Sequence, residues 1–106
     1  MPQFAVHRNR NGATRARYPL LLDVQSDLLE DLRTRVVIPL TPASATTKRT
    51  SLQNLTPLCT VEGKEYLLLT PQLAGIAAKE LGPAIADLSQ DRQTILDALD
   101  MLITGI

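Results

Sequence analysis

The sequence predicts an α+β fold in which a small antiparallel sheet or barrel is packed by one C-terminal helix. Three observations predict it. Short apolar runs punctuated by turn residues fill the chain up to Thr70. One amphipathic segment with apolar residues at helical spacing closes it. The strands precede the helix instead of alternating with helices, which argues against a parallel sheet.

The elements follow in order. Gln3 to His7 alternates apolar and polar residues and reads as a strand. Asn9-Arg10-Asn11-Gly12 has turn chemistry, because Asn and Gly tolerate positive φ. Tyr18 to Val24 reads as a second strand, with Pro19 near its start because proline cannot donate to a ladder. The two form a hairpin with a long basic loop. Val36-Val37-Ile38-Pro39-Leu40 is a β-branched run in which Pro39 is expected to end regular pairing. Thr41 to Asn54 is rich in Thr, Ser and Ala and reads as a long connection. Leu58–Val61 and Lys64–Thr70 flank Glu62-Gly63 as a second hairpin, with Gly63 supplying φ > 0. Leu73 to Ala78 fits strand or helix equally. Ser89 is the expected N-cap of the final helix, with Asp87 and Asp91 at its positive end. Ile95, Leu99 and Leu102, widened by Leu96, Ala98 and Ile103, form its apolar stripe. Gln93, Asp97, Asp100 and Thr104 fall on the other side, and Gly105 stands where a helix stops.

The chain has 106 residues, enough for one domain spanning 1–106. Apolar residues make up 44 %, too many for a disordered chain. They are mainly aliphatic: Phe4, Tyr18 and Tyr66 are the aromatic residues and Trp is absent, so stacking platforms for bases are scarce. Net charge is formally zero, which removes a global nucleic-acid signature. The distribution is uneven. Arg8, Arg10, Arg15 and Arg17 occur before any acid, whereas Glu80, Asp87, Asp91, Asp97 and Asp100 face Arg92 alone at the other end. A solvated basic loop and a solvated acidic helix face are expected. No run approaches the ~20 apolar residues of a membrane span, and the N-terminus has no apolar signal core, so a soluble cytoplasmic protein is expected.

The residues offer little for catalysis. Cys59 is the single cysteine and lies in an apolar stretch, which reads as a buried structural thiol. His7 is the single histidine, in a strand beside the basic loop, and reads as a surface or partly packed side chain. Asp23 and Asp27 lie four apart, ~13 Å along an extended chain, with no third metal ligand; strand-end solvation of Asp23 and turn capping by Asp27 are expected. The glycines form no phosphate-cradling loop. No catalytic residue, metal or cofactor is expected, and the chain reads as an interaction protein.

Four segments carry a resemblance. Asp23-Val24-Gln25-Ser26-Asp27-Leu28-Leu29, Val36-Val37-Ile38-Pro39-Leu40, Ala86-Asp87-Leu88-Ser89 and the final Gly105-Ile106, in that order and spacing, resemble the CcdB toxins of toxin–antitoxin modules. The likeness runs from Gln3-Phe4 to the last residue and is weak over Thr41–Asn54 and much of Leu73–Pro83. It implies a strongly twisted five-stranded antiparallel sheet, SH3-like and shared with MazF-type toxins, with a small extra sheet and a long C-terminal helix. It implies a homodimer whose target is the DNA gyrase A subunit, a CcdA antitoxin with a disordered tail, and operator DNA bound together with that antitoxin. Carried over residue by residue, the gyrase-binding surface comprises Asp100, Ile103, Thr104, Gly105 and Ile106, with Arg92, Gln93, Ser26, Leu28 and Leu29 beside them. Core packing is the competing role for Leu28 and Leu29, and a helix C-cap for Gly105.

One departure bears on strength. The best-known members of the family place Trp before the terminal Gly-Ile, where this chain has Thr104. An aromatic anchor there would contribute ~2–4 kcal/mol, or roughly 30- to 1,000-fold in affinity. Two alternatives therefore stand beside gyrase poisoning: a gyrase-inactive family member that works in antitoxin binding and operon autoregulation, and a MazF-like endoribonuclease using Arg8, Arg15, Arg17 or Arg33.

Overall fold

The structure is a computed structural model and describes residues 2–45 and 54–105. Among the described residues seven strands, all paired antiparallel, make one curled sheet: β1 (Ala5–Asn9), β2 (Leu20–Asp23), β3 (Thr34–Pro42), β4 (Leu58–Val61), β5 (Lys64–Leu68), β6 (Ala74–Ala77) and β7 (Leu81–Asp87). The helix α1 (Arg92–Thr104) follows. The order is β4-β5-β3-β2-β1-β7, with β6 also on β3. This is the α+β fold that the sequence predicts.

The strand β3 forks, and the fork explains the strand count. Its first half pairs β6, from Thr34 opposite Ala77 to Val37 opposite Ala74. Its second half pairs β5, from Leu40 opposite Leu68 to Pro42 opposite Tyr66. Thus β6-β3-β2-β1-β7 form the five-stranded sheet, and the β4–β5 hairpin is the small extra sheet, continuous with it through β3.

Pro39 does not end pairing, contrary to expectation. It lies opposite Leu21 inside β3, and its carbonyl accepts from Leu69 N at 2.9 Å. Its backbone therefore faces the fork, between the last β6 pair and the first β5 pair, where the missing N–H breaks no ladder bond. The hairpin turn also differs in detail: both Glu62 (φ 51°) and Gly63 (φ 79°) have positive φ, as a type I′ turn demands.

Leu73 to Ala78, ambiguous in sequence, resolves as strand β6 over Ala74–Ala77. Strand β7 fills a stretch to which the sequence assigns no element, and it contains Gly82-Pro83. Both residues are tolerated on an edge strand with irregular register. A Cβ at Gly82 would sit 2.8 Å from the Arg8 carbonyl oxygen, so glycine allows β7 to approach β1. Of the segment Thr41–Asn54, Thr41 and Pro42 finish β3; residues 46–53 lie outside the described residues.

The alternation of strand side chains gives two apolar layers. Val6, Leu20, Leu22, Ile38 and Leu40 face the helix side and pack with Phe4, Leu68, Leu88 and Ile95. Helix α1 docks through the fully buried Ile95 and Ala98, flanked by Leu96 and Leu99. Burying a side chain such as Ile95 contributes about 1.5–3 kcal/mol. Leu21, Val37 and Leu81 form a second cluster with Ile76.

Helix α1 starts differently from expectation. Ser89 is not its N-cap; Ser89–Asp91 forms a 3₁₀ turn, and the α-helix begins at Arg92. The Asp87 carboxylate accepts from Ser89 N at 2.7 Å, so the acid two residues upstream takes the capping role. The end is as expected: Gly105 is left-handed (φ 78°) and its N–H donates to the Met101 carbonyl at 3.1 Å. Among the described residues no helix is long and apolar enough to cross a membrane.

Candidate functional site

Two exposed patches carry the residues that the sequence singled out. The first is the turn after β2. The Ser26 hydroxyl accepts from Leu28 N at 3.2 Å and the Ser26 carbonyl from Leu29 N at 3.0 Å, closing one 3₁₀ turn over Asp27–Leu29. Ser26 is half-buried. Leu28 is 93 % exposed and Leu29 49 %, with Leu32 beside them at 51 %. Among the described residues nothing buries Leu28 or Leu29, so the core role open to them is not the one they take there.

A buried polar chain lies behind this turn, and the sequence did not reveal it. Asp23, expected at a solvated strand end, is fully buried. Its Oδ2 accepts from Arg35 Nε and faces Arg35 Nη2, both at 2.8 Å. Its Oδ1 accepts from Gln25 N at 3.0 Å. The Gln25 side chain accepts from Val36 N at 3.1 Å and donates to the Leu29 carbonyl at 3.0 Å. A buried carboxylate is tolerated only when paired and hydrogen-bonded, and both conditions hold here. Asp27 does not cap the turn, contrary to expectation; Ser26 does, and the Asp27 Oδ1 accepts instead from Gln3 N at 2.7 Å, across to the start of the chain.

The second patch is the outer face and end of α1. Arg92, Gln93, Asp100, Ile103, Thr104 and Gly105 are all exposed, Ile103 by 74 %. Gln93 donates to Asp97 at 2.8 Å along the helix. The Thr104 hydroxyl donates to the Asp100 carbonyl at 2.7 Å, folding that side chain back onto the helix. Gly105 is the C-cap that the sequence offered as one of its roles. Ile106 lies outside the described residues. Among the described residues, no hydrogen bond or ion pair joins the helix patch to the Ser26–Leu29 turn.

The remaining reactive groups are built into the fold. His7 is buried, contrary to the expected surface or partly packed position; its Nδ1 lies 3.0 Å from the Gly82 carbonyl. Cys59 is buried as expected, and burial, followed by the charge of Asp91, pushes its thiol from 9.0 up to about 12. That leaves little thiolate at neutral pH. Among the described residues no group of three or more His, Cys, Asp or Glu side chains is placed to hold a metal ion. The basic loop is ordered around buried Asn9, whose Nδ2 donates to Thr14 Oγ1 and to the Tyr18 carbonyl at 3.0 and 2.8 Å. Beside it a cleft of about 200 Å³ is floored by Leu21, Val37, Pro39 and Ile76.

The described residues form an antiparallel half-barrel capped by a terminal helix, with Leu28, Leu29 and Leu32 exposed after β2, Leu58 on β4, and Leu102 and Ile103 at the helix end. The model of the CcdB protein family matches residues 3–105. The chain belongs to the CcdB family, a family of toxins from toxin–antitoxin modules.

Proposed function

We propose that this chain is the toxin of a type II toxin–antitoxin system and that it binds the DNA gyrase A subunit and traps the gyrase–DNA cleavage complex. The observation that carries the reading is the exposure of Leu28, Leu29 and Ile103, large apolar side chains that no part of the described chain covers. They stand among the positions that the family resemblance assigns to gyrase: Ser26, Leu28, Leu29, Arg92, Gln93, Asp100, Ile103, Thr104, Gly105 and Ile106.

The mechanism is binding, with no bond made or broken by this protein. Gyrase holds the cut DNA ends covalently while its subunits part. A ligand with higher affinity for that cleaved, open state shifts the population towards it. A homodimer matches a two-fold target with a two-fold surface, each copy of residues 1–106 acting as one domain. The Thr104 hydroxyl is engaged with the helix backbone, so apolar contact at the helix end falls to Ile103 and the tail. The antitoxin CcdA competes for the toxin, and the two together bind operator DNA. The protein works in the cytoplasm, where gyrase is.

Purified protein, gyrase, ATP and supercoiled plasmid, quenched with detergent and protease, test this. Linear DNA is expected to rise with protein dose, and Gly105→Glu or deletion of Ile106 is expected to abolish it. An absence of linear DNA at micromolar protein would overturn the reading in favour of a member that acts in antitoxin binding and autoregulation.

A further inference from the structure

We propose that Gln25 is a positioning residue of the docking surface, the last link of a buried chain Arg35–Asp23–Gln25 that fixes how Leu28 and Leu29 are presented; the inference rests on the gyrase reading for its partner. The geometry is directional. Arg35, 1 % exposed in strand β3, grips Asp23 Oδ2 with two nitrogens at 2.8 Å. The other carboxylate oxygen, Oδ1, takes Gln25 N at 3.0 Å and so sets the backbone where the chain leaves β2. Gln25, 6 % exposed, then uses both ends of its amide. Its oxygen is anchored on β3 through Val36 N at 3.1 Å, and its nitrogen holds the Leu29 carbonyl at 3.0 Å.

The chain spans the turn without touching the outward side chains. Leu28 and Leu29 have only the Ser26 hydroxyl and carbonyl as other holds on their backbone N–H groups. The turn's remaining bonds are Glu30 N to the Asp27 carbonyl at 3.3 Å, Leu32 N to the Leu29 carbonyl at 3.2 Å and Gln3 N to Asp27 Oδ1 at 2.7 Å; the Gln25 amide is the bond that ties the Leu29 end of the turn to β3. Two leucines exposed on a loose turn would lose rotamer and backbone freedom on binding, and that loss opposes affinity. A turn already fixed by a buried amide avoids much of it. Gln25 therefore acts on the partner through Leu28 and Leu29 and not by contact.

Two variants and two readouts decide it. Gln25→Met keeps the length of the side chain and removes both amide bonds; Gln25→Ala removes the side chain. In Gln25→Met, amide hydrogen exchange at Leu29 is expected to rise about tenfold or more, while exchange at Val6 and Leu22 in the central strands stays unchanged. Unchanged exchange at Leu29 in both variants overturns the inference, whatever gyrase does. Binding to a gyrase A fragment is then measured for Gln25→Met, Leu28→Ala and the double variant. Gln25→Met is expected to weaken binding about tenfold, and Leu28→Ala to cost much less in the Gln25→Met background than alone. Strictly additive effects would mean that Gln25 serves the fold only, and would overturn the positioning role. Failure of the unaltered protein to bind the fragment would overturn the gyrase reading instead, with the exchange rates still deciding whether Gln25 orders the turn.

Discussion

At the scale of single residues, backbone proximity and buried polarity set the constraints. Gly82 is the sharpest case. Its place on β7 brings the backbone so close to β1 that a Cβ would lie 2.8 Å from the Arg8 carbonyl oxygen. That neighbour is main chain inside a paired strand and cannot swing away. Gly82→Ala is therefore expected to destabilise the fold by about 1–3 kcal/mol, read as a lower urea midpoint with an unchanged slope. The His7 ring should report the same displacement, since its Nδ1 lies 3.0 Å from the Gly82 carbonyl. Nothing in the sequence marks Gly82 this way, because close approach of two backbones depends on which strands pair. Asp23 was misplaced for a related reason. Alternation puts it on the same face as Leu21, but a carboxylate on a buried face makes sense only once Arg35, twelve residues on, is known to lie beside it.

At the scale of elements, capping and register decide where each piece begins and ends. The 3₁₀ turn that leads into α1 is tied by Asp87. The Ser89 hydroxyl and the Ser89 backbone N–H both bond its carboxylate and hold it below its ordinary 3.8. A carboxyl group whose folded value is depressed contributes stability above its unfolded value and loses it as pH falls through the folded one. Acidification through the ordinary carboxylate range and below it is therefore expected to remove this contribution. Asp87→Asn, which keeps an acceptor but does not titrate, is expected to show a flatter loss of urea midpoint over the same range. A variant as acid-sensitive as the original protein would rule the Asp87 cap out as a source of that sensitivity. The exit from α1 was legible, since Gly105 supplies the positive φ that a helix C-cap wants. The β4–β5 hairpin was legible too, from Glu62-Gly63 between two apolar runs. The fork of β3 was not, because pairing one strand with two successive neighbours leaves no local pattern.

At the scale of the whole molecule, the described chain leaves Leu28, Leu29, Leu32, Leu58, Leu102 and Ile103 exposed. A small domain with that much apolar surface is expected to bury some of it in an assembly. The proposed two-fold target demands a two-fold ligand. Sedimentation at roughly 10 µM should give twice the 11.6 kDa mass of one chain. A single-chain mass at that concentration would contradict the homodimer and remove the symmetry argument for the gyrase cavity. The uneven charge has a place in the fold as well. The arginine-bearing loop is ordered by Asn9, while five acids lie in the last 27 residues, from Glu80 onward, on or before α1.

The sequence by itself determined the class of fold, the terminal helix with its C-cap and the buried half of its stripe (Ile95 and Ala98, while Leu102 and Ile103 lie exposed), the two hairpins, the buried thiol, and through four short segments the family. These are local or nearly local properties: periodicity, turn chemistry and motif spacing are written within a few residues of where they act. Tertiary structure alone decided the rest. It showed that Leu28 and Leu29 face solvent, because an apolar pair after a strand fits core and surface equally until the sheet is curled. It placed Pro39 at a fork, made an edge strand of Gly82-Pro83, and joined Arg35, Asp23 and Gln25 into one buried chain. Each of those depends on which distant strand lies alongside, and burial is a property of the neighbours that pairing brings together, not of the residue itself.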